Sequence, residues 1–363
     1  MNNTMYRMPA EWEEQEAVWL QWPHEDSHGY QRKLESIWLE MTEILRQNVI
    51  VRICTEDQRR ADHIRHQLEF YDIGLSQVEI YAIPTNDVWI RDDGPNFVVS
   101  KDGKLAAVDW RFNGWGGRYP HDLDKKVSGK IVKILGIPFL NANMVGEGGN
   151  IEVNGKGDLI CTRSAALNDN RNPGRSQEDA EEIFSKCLGV KNTIWLPGME
   201  TENNGEAGWL DDTDTHVDTI ARFVSPSTIV YSWSPFSDDC VYPMLKRNLQ
   251  ALKEAVLASG RHPDLVALPV PKDGYYSTSK VGIGGSIREF DYAVRTDASY
   301  TNFLISNKTV LVPVYGNIND DRALKIIKEH FPDRDVIGVN CGAIAENGGE
   351  IHCVTQQQPK AKY

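Results

Sequence analysis

The chain has 363 residues, with ordinary apolar (40%) and charged (25%) fractions and a formal net charge of −13. That length allows two average domains or one large closed α/β domain. The acidic balance argues against nucleic acid, whose phosphates call for Lys and Arg, and no apolar run approaches the roughly 20 residues needed to span a bilayer.

The N-terminus, "MNNTMYRMPAEWEEQE", lacks a basic start followed by an apolar stretch, so it does not read as a signal peptide. Cys54, Cys161, Cys187, Cys240, Cys341 and Cys353 are far apart with no C-x-x-C. Free thiols in a reducing cytoplasm are therefore expected. "AVWLQWP" reads as a strand. "QRKLESIWLEMTEILRQN" places Leu34, Ile37, Trp38, Met41 and Leu45 on one helical face. "TEDQRRADHIRHQLEF" reads as a helix starting at a Thr55 cap. Hairpins follow, each with β-branched or aromatic residues around a turn signal: "NFVVSKDGKLAAVDW", "NIEVNGKGDLICT", "TIARFVSPSTIVYSW" and "TNFLISNKTVLVPVY". Helices are expected in "SQEDAEEIFSKCL", "YPMLKRNLQALKEAVLAS" and "DDRALKIIKEHF", and short strands in "VIVRIC", "VEIYAI", "LVALPV" and "VIGVN".

The recurring unit is two strands, a helix and a strand, which disfavours a doubly wound nucleotide-binding sheet. Weak internal repetition points to a radial arrangement. Four units are clear. A fifth forms if "AVWLQWP" pairs with "EIHCVT" near the end, closing a ring and making residues 1–363 a single domain.

Polar clusters stand at the hairpin entrances: "DVWIRDDGP", "GEGGN", "DDTDTHVD", "SYTN" and "NGGEIHC". In a radial arrangement all five meet at the axis. Read as a strand, "THVD" puts His216 and Asp218 on one face. Glu147 lies among glycines that allow close approach. Asp92 follows Trp89 by three residues, and Trp115 lies in "FNGWGG". Taken singly, each has an ordinary reading: a surface pair, exposed turn carboxylates, core or loop tryptophans, a buried inert thiol at Cys353. In a strand, His352 and Cys353 face opposite sides, and closely spaced soft ligands are lacking, so no metal site is expected. As a set, a thiol, a His and several carboxylates suit a planar cation better than an acyl group. Carboxylates oppose an oxyanion, whereas a guanidinium offers five N–H donors that paired carboxylates hold.

Together "YRMPAEWEEQEAVWLQWP", "WIRDDGP", "NGWGG", "EGGNIEV", "THVD", "SYTN" and "IHCVTQQQP" resemble the agmatine deiminase family of the guanidino-group-modifying (pentein) superfamily, from Met8 to about Pro359. The resemblance implies a five-fold pseudo-symmetric α/β propeller of ββαβ modules. It implies hydrolysis of agmatine to N-carbamoylputrescine and ammonia through a covalent Cys-amidino intermediate, without metal or cofactor. Homo-oligomers are common in the family. It further implies Cys353 as nucleophile, His216 as general acid/base, Asp92 and Asp218 on the guanidinium, Glu147 on His216 or the guanidinium, Trp89 as a pocket wall, and Trp115 on the aliphatic chain or in a covering loop. This chain departs from the common pattern at Thr215, where Gly often precedes the His, and at Glu350, where Asn often precedes Ile-His-Cys; Glu350 reads as a solvent-facing strand residue.

The competing readings are a deiminase of free or peptidyl arginine, an amidinotransferase, a Cys-His amide hydrolase, and a non-enzymatic binder of polyamine-like cations. An α-carboxylate calls for a basic partner. Arg91, the arginine within the clusters, faces away from Asp92 if that stretch is extended, which favours agmatine.

Overall fold

The computed structural model describes residues 6–24, 31–199, 209–281 and 287–361. Five of its sheets obey one rule. Two strands pair antiparallel, through a hairpin in four of the sheets, and a third strand returns beside one of them in parallel after a crossover containing a helix. The sheets are Asn96–Ser100, Leu105–Asp109 and Phe139–Asn141; Glu152–Val153, Asp158–Thr162 and Asn192–Leu196; Ala221–Phe223, Thr228–Trp233 and Asp264–Pro269; and Leu304–Ile305, Thr309–Val314 and Asp335–Asn340. In the fifth, Thr355–Pro359 lies antiparallel to Gln15–Gln21, which continues in parallel to Ile50–Thr55 and Val78–Ala82. The two ends of the chain thus complete one sheet. A further sheet of Trp209–Leu210, Tyr276–Val281 and Ile287–Thr296 lies outside this rule.

The helices carry the expected apolar stripes. On Gln31–Leu45, the side chains of Leu34, Ile37, Trp38, Met41 and Leu45 are all buried, packing with Val51 and Ile53. Ser176 caps Gln177–Leu188 through a reciprocal bond with Asp179. Helix Gln58–Phe70 is capped by Asp57, which accepts from the Arg60 N–H at 2.8 Å; Thr55, the expected cap, instead ends the preceding strand. The helix expected over 242–259 stops at Glu254. Its continuation is captured by the neighbouring unit, with Asp158 accepting from the Ala258 N–H and Asn192 donating to the Val256 carbonyl. Among the described residues, no helix is long and apolar enough to cross a membrane.

The closing strand is the "TQQQP" segment rather than "EIHCVT": residues 351–354 form a turn, and pairing begins at Thr355. This gives Gln357 and Gln358 work. Gln357 Oε1 accepts from Arg91 Nη1 at 2.7 Å. Gln358 Oε1 accepts from Trp19 Nε1 at 2.9 Å and Arg52 Nη1 at 2.7 Å. Buried strand amides that bind a buried guanidinium and an indole weld the last strand to the first.

Candidate active site

The polar clusters from the hairpin entrances meet around Gly149. A Cβ on this glycine would lie 2.5 Å from His216 Nδ1, 2.9 Å from Asp92 Oδ1 and 3.2 Å from Asp218 Oδ2. Any side chain there would drive the three groups apart, so the residue must be glycine.

Each functional side chain is delivered by a short turn rather than a regular strand. Asp92 lies in the helical turn Ile90–Asp93, so the opposite-face placement of Arg91, which holds only for an extended stretch, does not apply. Its Oδ1 accepts from the Gly149 N–H and its Oδ2 from Trp115 Nε1, both at 2.9 Å. Trp115 is buried and held at φ 54. Its observed contact is this bond to Asp92. Arg91, in the same turn, is also buried: Nε donates to the His352 carbonyl and Nη1 to Gln357.

Glu147 precedes the turn Gly148–Asn150. It is held from both sides: Arg171 Nε donates to Oε1 at 2.7 Å, and His216 Nε2 lies 2.7 Å from Oε2. Arg171 also bonds Asp214 and the Thr213 carbonyl. Asp214 in turn takes both terminal nitrogens of Arg118 at 2.7 Å. None of this support was read from the sequence. Arg171 lies in "LNDNRNPGR", which has no periodicity to betray a buried cation.

His216 and Asp218 do converge, although "THVD" is not a strand. His216 leads into the 3₁₀ turn Val217–Thr219. The preceding Asp214 and Thr215 have φ of 59° and 68°, left-handed values that are costly for a β-branched residue. Thr215 is pinned there: its Oγ1 donates to Asp211, and its carbonyl accepts from Thr162 Oγ1, each at 2.7 Å. A glycine before the His is therefore the undemanding choice, and Thr215 is the strained one.

Cys353 sits in the 351–354 turn with 8% exposure. Its Sγ is 4.0 Å from Asp218 Oδ2 and 3.3 Å from Asn302 Nδ2. Gly349 leaves room beside it: a Cβ there would meet Trp89 Cζ3 at 2.4 Å and Cys353 Cβ at 3.1 Å. Trp89 therefore borders the sulfur's turn. His352 does not face away as strand alternation required. Its Nδ1 lies 2.7 Å from Asp218 Oδ2 and its Nε2 2.9 Å from Glu11 Oε2. Glu350 is fully buried, not solvent-facing; burial, Asp297 and Asp218 push its carboxyl well above the usual range. The turn overrides the strand periodicity on which both of those expectations rested.

The charges are set by these contacts. Burial alone would lower the His216 imidazole, but Asp92, the Glu147 hydrogen bond and Asp218 outweigh it and push it up to about 9. Burial raises Glu147, yet Arg171 and His216 bring it below its usual range. Burial likewise raises Asp218, and His352 and His216 reverse this. Asp92 is raised by burial, partly offset by His216. The Cys353 thiol stands well above its ordinary value through burial, Asp218, Glu350 and Asp92. Among the described residues, no group of three or more His, Cys, Asp or Glu is placed to hold a metal ion. The arrangement is a buried thiol and a proton-bearing imidazole amid carboxylates, with Asp218 Oδ1 left without a hydrogen-bond partner within the described residues.

Comparison with known proteins places this geometry. The sequence model of the Porphyromonas-type peptidyl-arginine deiminases matches residues 7–359. A Latilactobacillus sakei protein, assigned as a candidate agmatine deiminase, is 32% identical, covering 98% of this chain and 97% of its own. The solved agmatine deiminase of Enterococcus faecalis superposes with a TM-score of 0.85 at 30% identity, over 99% of both chains. A Cys-to-Ser variant of C. jejuni agmatine deiminase with substrate bound gives 0.83 at 29% identity, over 100% of this chain and 99% of its own.

Proposed function

Given that the chain belongs to the Porphyromonas-type peptidyl-arginine deiminase family, we propose that it hydrolyses the guanidinium of agmatine to N-carbamoylputrescine and ammonia, with Cys353 as nucleophile. The observation that carries this reading is the unbalanced site. Asp92, Asp218 and Glu147 are buried with one thiol and the imidazoles of His216 and His352, and although Arg171 pairs with Glu147, Asp218 Oδ1 has no hydrogen-bond partner within the described residues. A buried carboxylate oxygen without a donor is costly. A guanidinium supplies both the charge and the donors.

The steps follow from the charges. Asp92 and Asp218 take the planar cation. Its charge offsets the carboxylates that hold the thiol up, and the thiol proton leaves to water. Sγ attacks the central carbon, giving a neutral tetrahedral adduct. His216, protonated at neutral pH, gives its proton to one nitrogen, and ammonia leaves. The remaining S-alkyl thiouronium meets a water whose proton returns to the now neutral His216. Collapse breaks the C–S bond, frees the ureido product and the thiolate, and releases a proton taken up by ammonia. Glu147, braced by Arg171, holds the ring of His216. Trp89 walls the pocket. Trp115 orients Asp92 through its indole N–H, beside the expected place on the aliphatic chain or in a covering loop.

Agmatine is favoured over arginine because the nearby guanidiniums are committed. Arg91 binds Gln357 and a carbonyl, Arg171 binds Glu147 and Asp214, and Arg118 binds Asp214. Arg91 Nη2 has no hydrogen-bond partner within the described residues, but it is buried and lies 3.9 Å from Glu11 Oε2, which would repel an α-carboxylate. We further propose that the five ββαβ units close radially around this site as one domain over residues 1–363, which the pairing of the last strand with the first supports. Ammonia release from agmatine, arginine and a peptidyl arginine tests the substrate. Agmatine is expected to lead by orders of magnitude, whereas comparable rates on arginine would overturn agmatine and leave the chemistry standing.

A further inference from the structure

We propose that Asn302 is a catalytic residue, whose side-chain amide donates a hydrogen bond to the Cys353 sulfur and holds it as the thiolate that attacks. The proposal rests on the reading of Cys353 as nucleophile. It gives a role to the "SYTN" cluster, which the chemistry above leaves unused.

The sulfur is surrounded by groups that oppose a negative charge. Asp218 is 4.0 Å away, and Glu350 and Asp92 add to its field. The substrate cation corrects this only while it is bound, and the charge must return to sulfur when the product leaves. A fixed donor is therefore needed on the protein. Asn302 Nδ2 is 3.3 Å from Sγ, in a side chain that is fully buried. A buried amide N–H aimed at a sulfur is worth more when that sulfur is charged.

The orientation of the amide is fixed by what holds its other end. Asn302 Oδ1 accepts from the His352 N–H at 2.9 Å and the Cys353 N–H at 3.3 Å. These two groups can only donate, so the oxygen must face them and the NH₂ must face the sulfur. The Asn302 carbonyl also accepts from the His352 N–H, at 3.1 Å, so the nucleophile's turn and its donor form one unit. The backbone of Glu350, just before that turn, also favours the charged sulfur. Both groups belong to the segment that carries the cysteine or to the residue that grips it, so they stay in place as substrate comes and goes.

Alkylation of Cys353 by iodoacetamide in the substrate-free full chain, read on the residue-353 peptide by mass spectrometry, tests this without assuming any substrate. Asn302→Asp keeps the acceptor oxygen and replaces the donor by a carboxylate. Asn302→Ser keeps an acceptor but is too short to reach sulfur. At any pH below the thiol's titration, a one-unit rise in its pKa lowers the thiolate fraction about tenfold. Both variants, with dichroism and melting unchanged, are expected to alkylate at least about tenfold more slowly than wild type, and Asn302→Asp the more slowly of the two. Unchanged alkylation in either folded variant overturns the proposal. Failure of agmatine turnover in the wild type with slowed alkylation in the variants would reject the substrate and keep Asn302.

Discussion

Two buried imidazoles share the field of Asp218, and they differ in what surrounds them. His352 lies between Asp218 and Glu11, with Arg222 behind Glu11 at 2.9 Å and also on Glu152 at 2.6 Å. Each ring nitrogen meets a carboxylate at hydrogen-bond distance, so this side is closed and structural. His216 has one such contact, at 2.7 Å to Glu147, while Asp92 stands 3.6 Å from its other nitrogen. That distance is too long for a hydrogen bond. His216 therefore has one ring nitrogen without a close acceptor, as the proposed proton transfer requires, while the carboxylates push its pKa up to about 9. A buried histidine is best judged by the valence it has left over, rather than by its adjacency to the nucleophile in sequence.

The comparison breaks most visibly at its centre. Cys353→Ser is expected to cut ammonia release by about 10⁴-fold or more while retaining agmatine binding by calorimetry, because the carboxylates remain. Next, His216→Gln should lower kcat by about 10²- to 10⁴-fold. In wild type the rate should fall as pH rises through about 9, because the proton donor is lost; in His216→Gln that limb should vanish. Folding stability carries the same signature. The folded pKa is raised above the ordinary value of about 6.5, so the contribution of His216 is complete below that pH and is lost as pH rises through about 9. Denaturant titrations from pH 6 to 10 should show this loss in wild type and not in the variant.

His352→Gln sharpens the contrast from the other side. It removes a hydrogen-bond partner from Glu11 or Asp218, so stability should fall by about 1–3 kcal/mol, with a smaller loss of rate than His216→Gln and no change in the alkaline limb. Equal rate losses in the two variants would erase the distinction drawn here. The smallest effect is expected at Thr215→Gly. Relief of the left-handed strain, of order 1–3 kcal/mol, is opposed by the greater freedom of glycine in the unfolded chain and by loss of the Oγ1 bond to Asp211. A net change within about 1 kcal/mol in the chemical melt is predicted.

The repeating unit was legible because each hairpin joins period-two apolar strands through a turn signal, and each helix carries a one-face stripe. Helix ends were less so: the stop at Glu254 depends on Asp158 and Asn192 of another unit, which no local pattern reveals. The hairpin of Tyr276–Val281 and Ile287–Thr296 was not read at all. At the site, the polar clusters marked Asp92, Glu147, His216, Asp218 and Cys353 as candidates, and the structure brings all five together. What failed was orientation. Strand alternation was applied to "THVD", "WIRDD" and "EIHC", which are turns, and so His352 and Glu350 were misplaced. Arg171, Glu11 and the bond from Asn302 to the sulfur were invisible because they act across long separations with no spacing to announce them.

The central claim is that a carbon of the guanidinium becomes bonded to Cys353. Acid quench during turnover of agmatine, followed by mass spectrometry of the residue-353 peptide, tests it directly. The account predicts a peptide heavier by agmatine less ammonia, present only with substrate and absent in Cys353→Ser. Steady turnover with no such adduct, together with activity retained in Cys353→Ser, would contradict it.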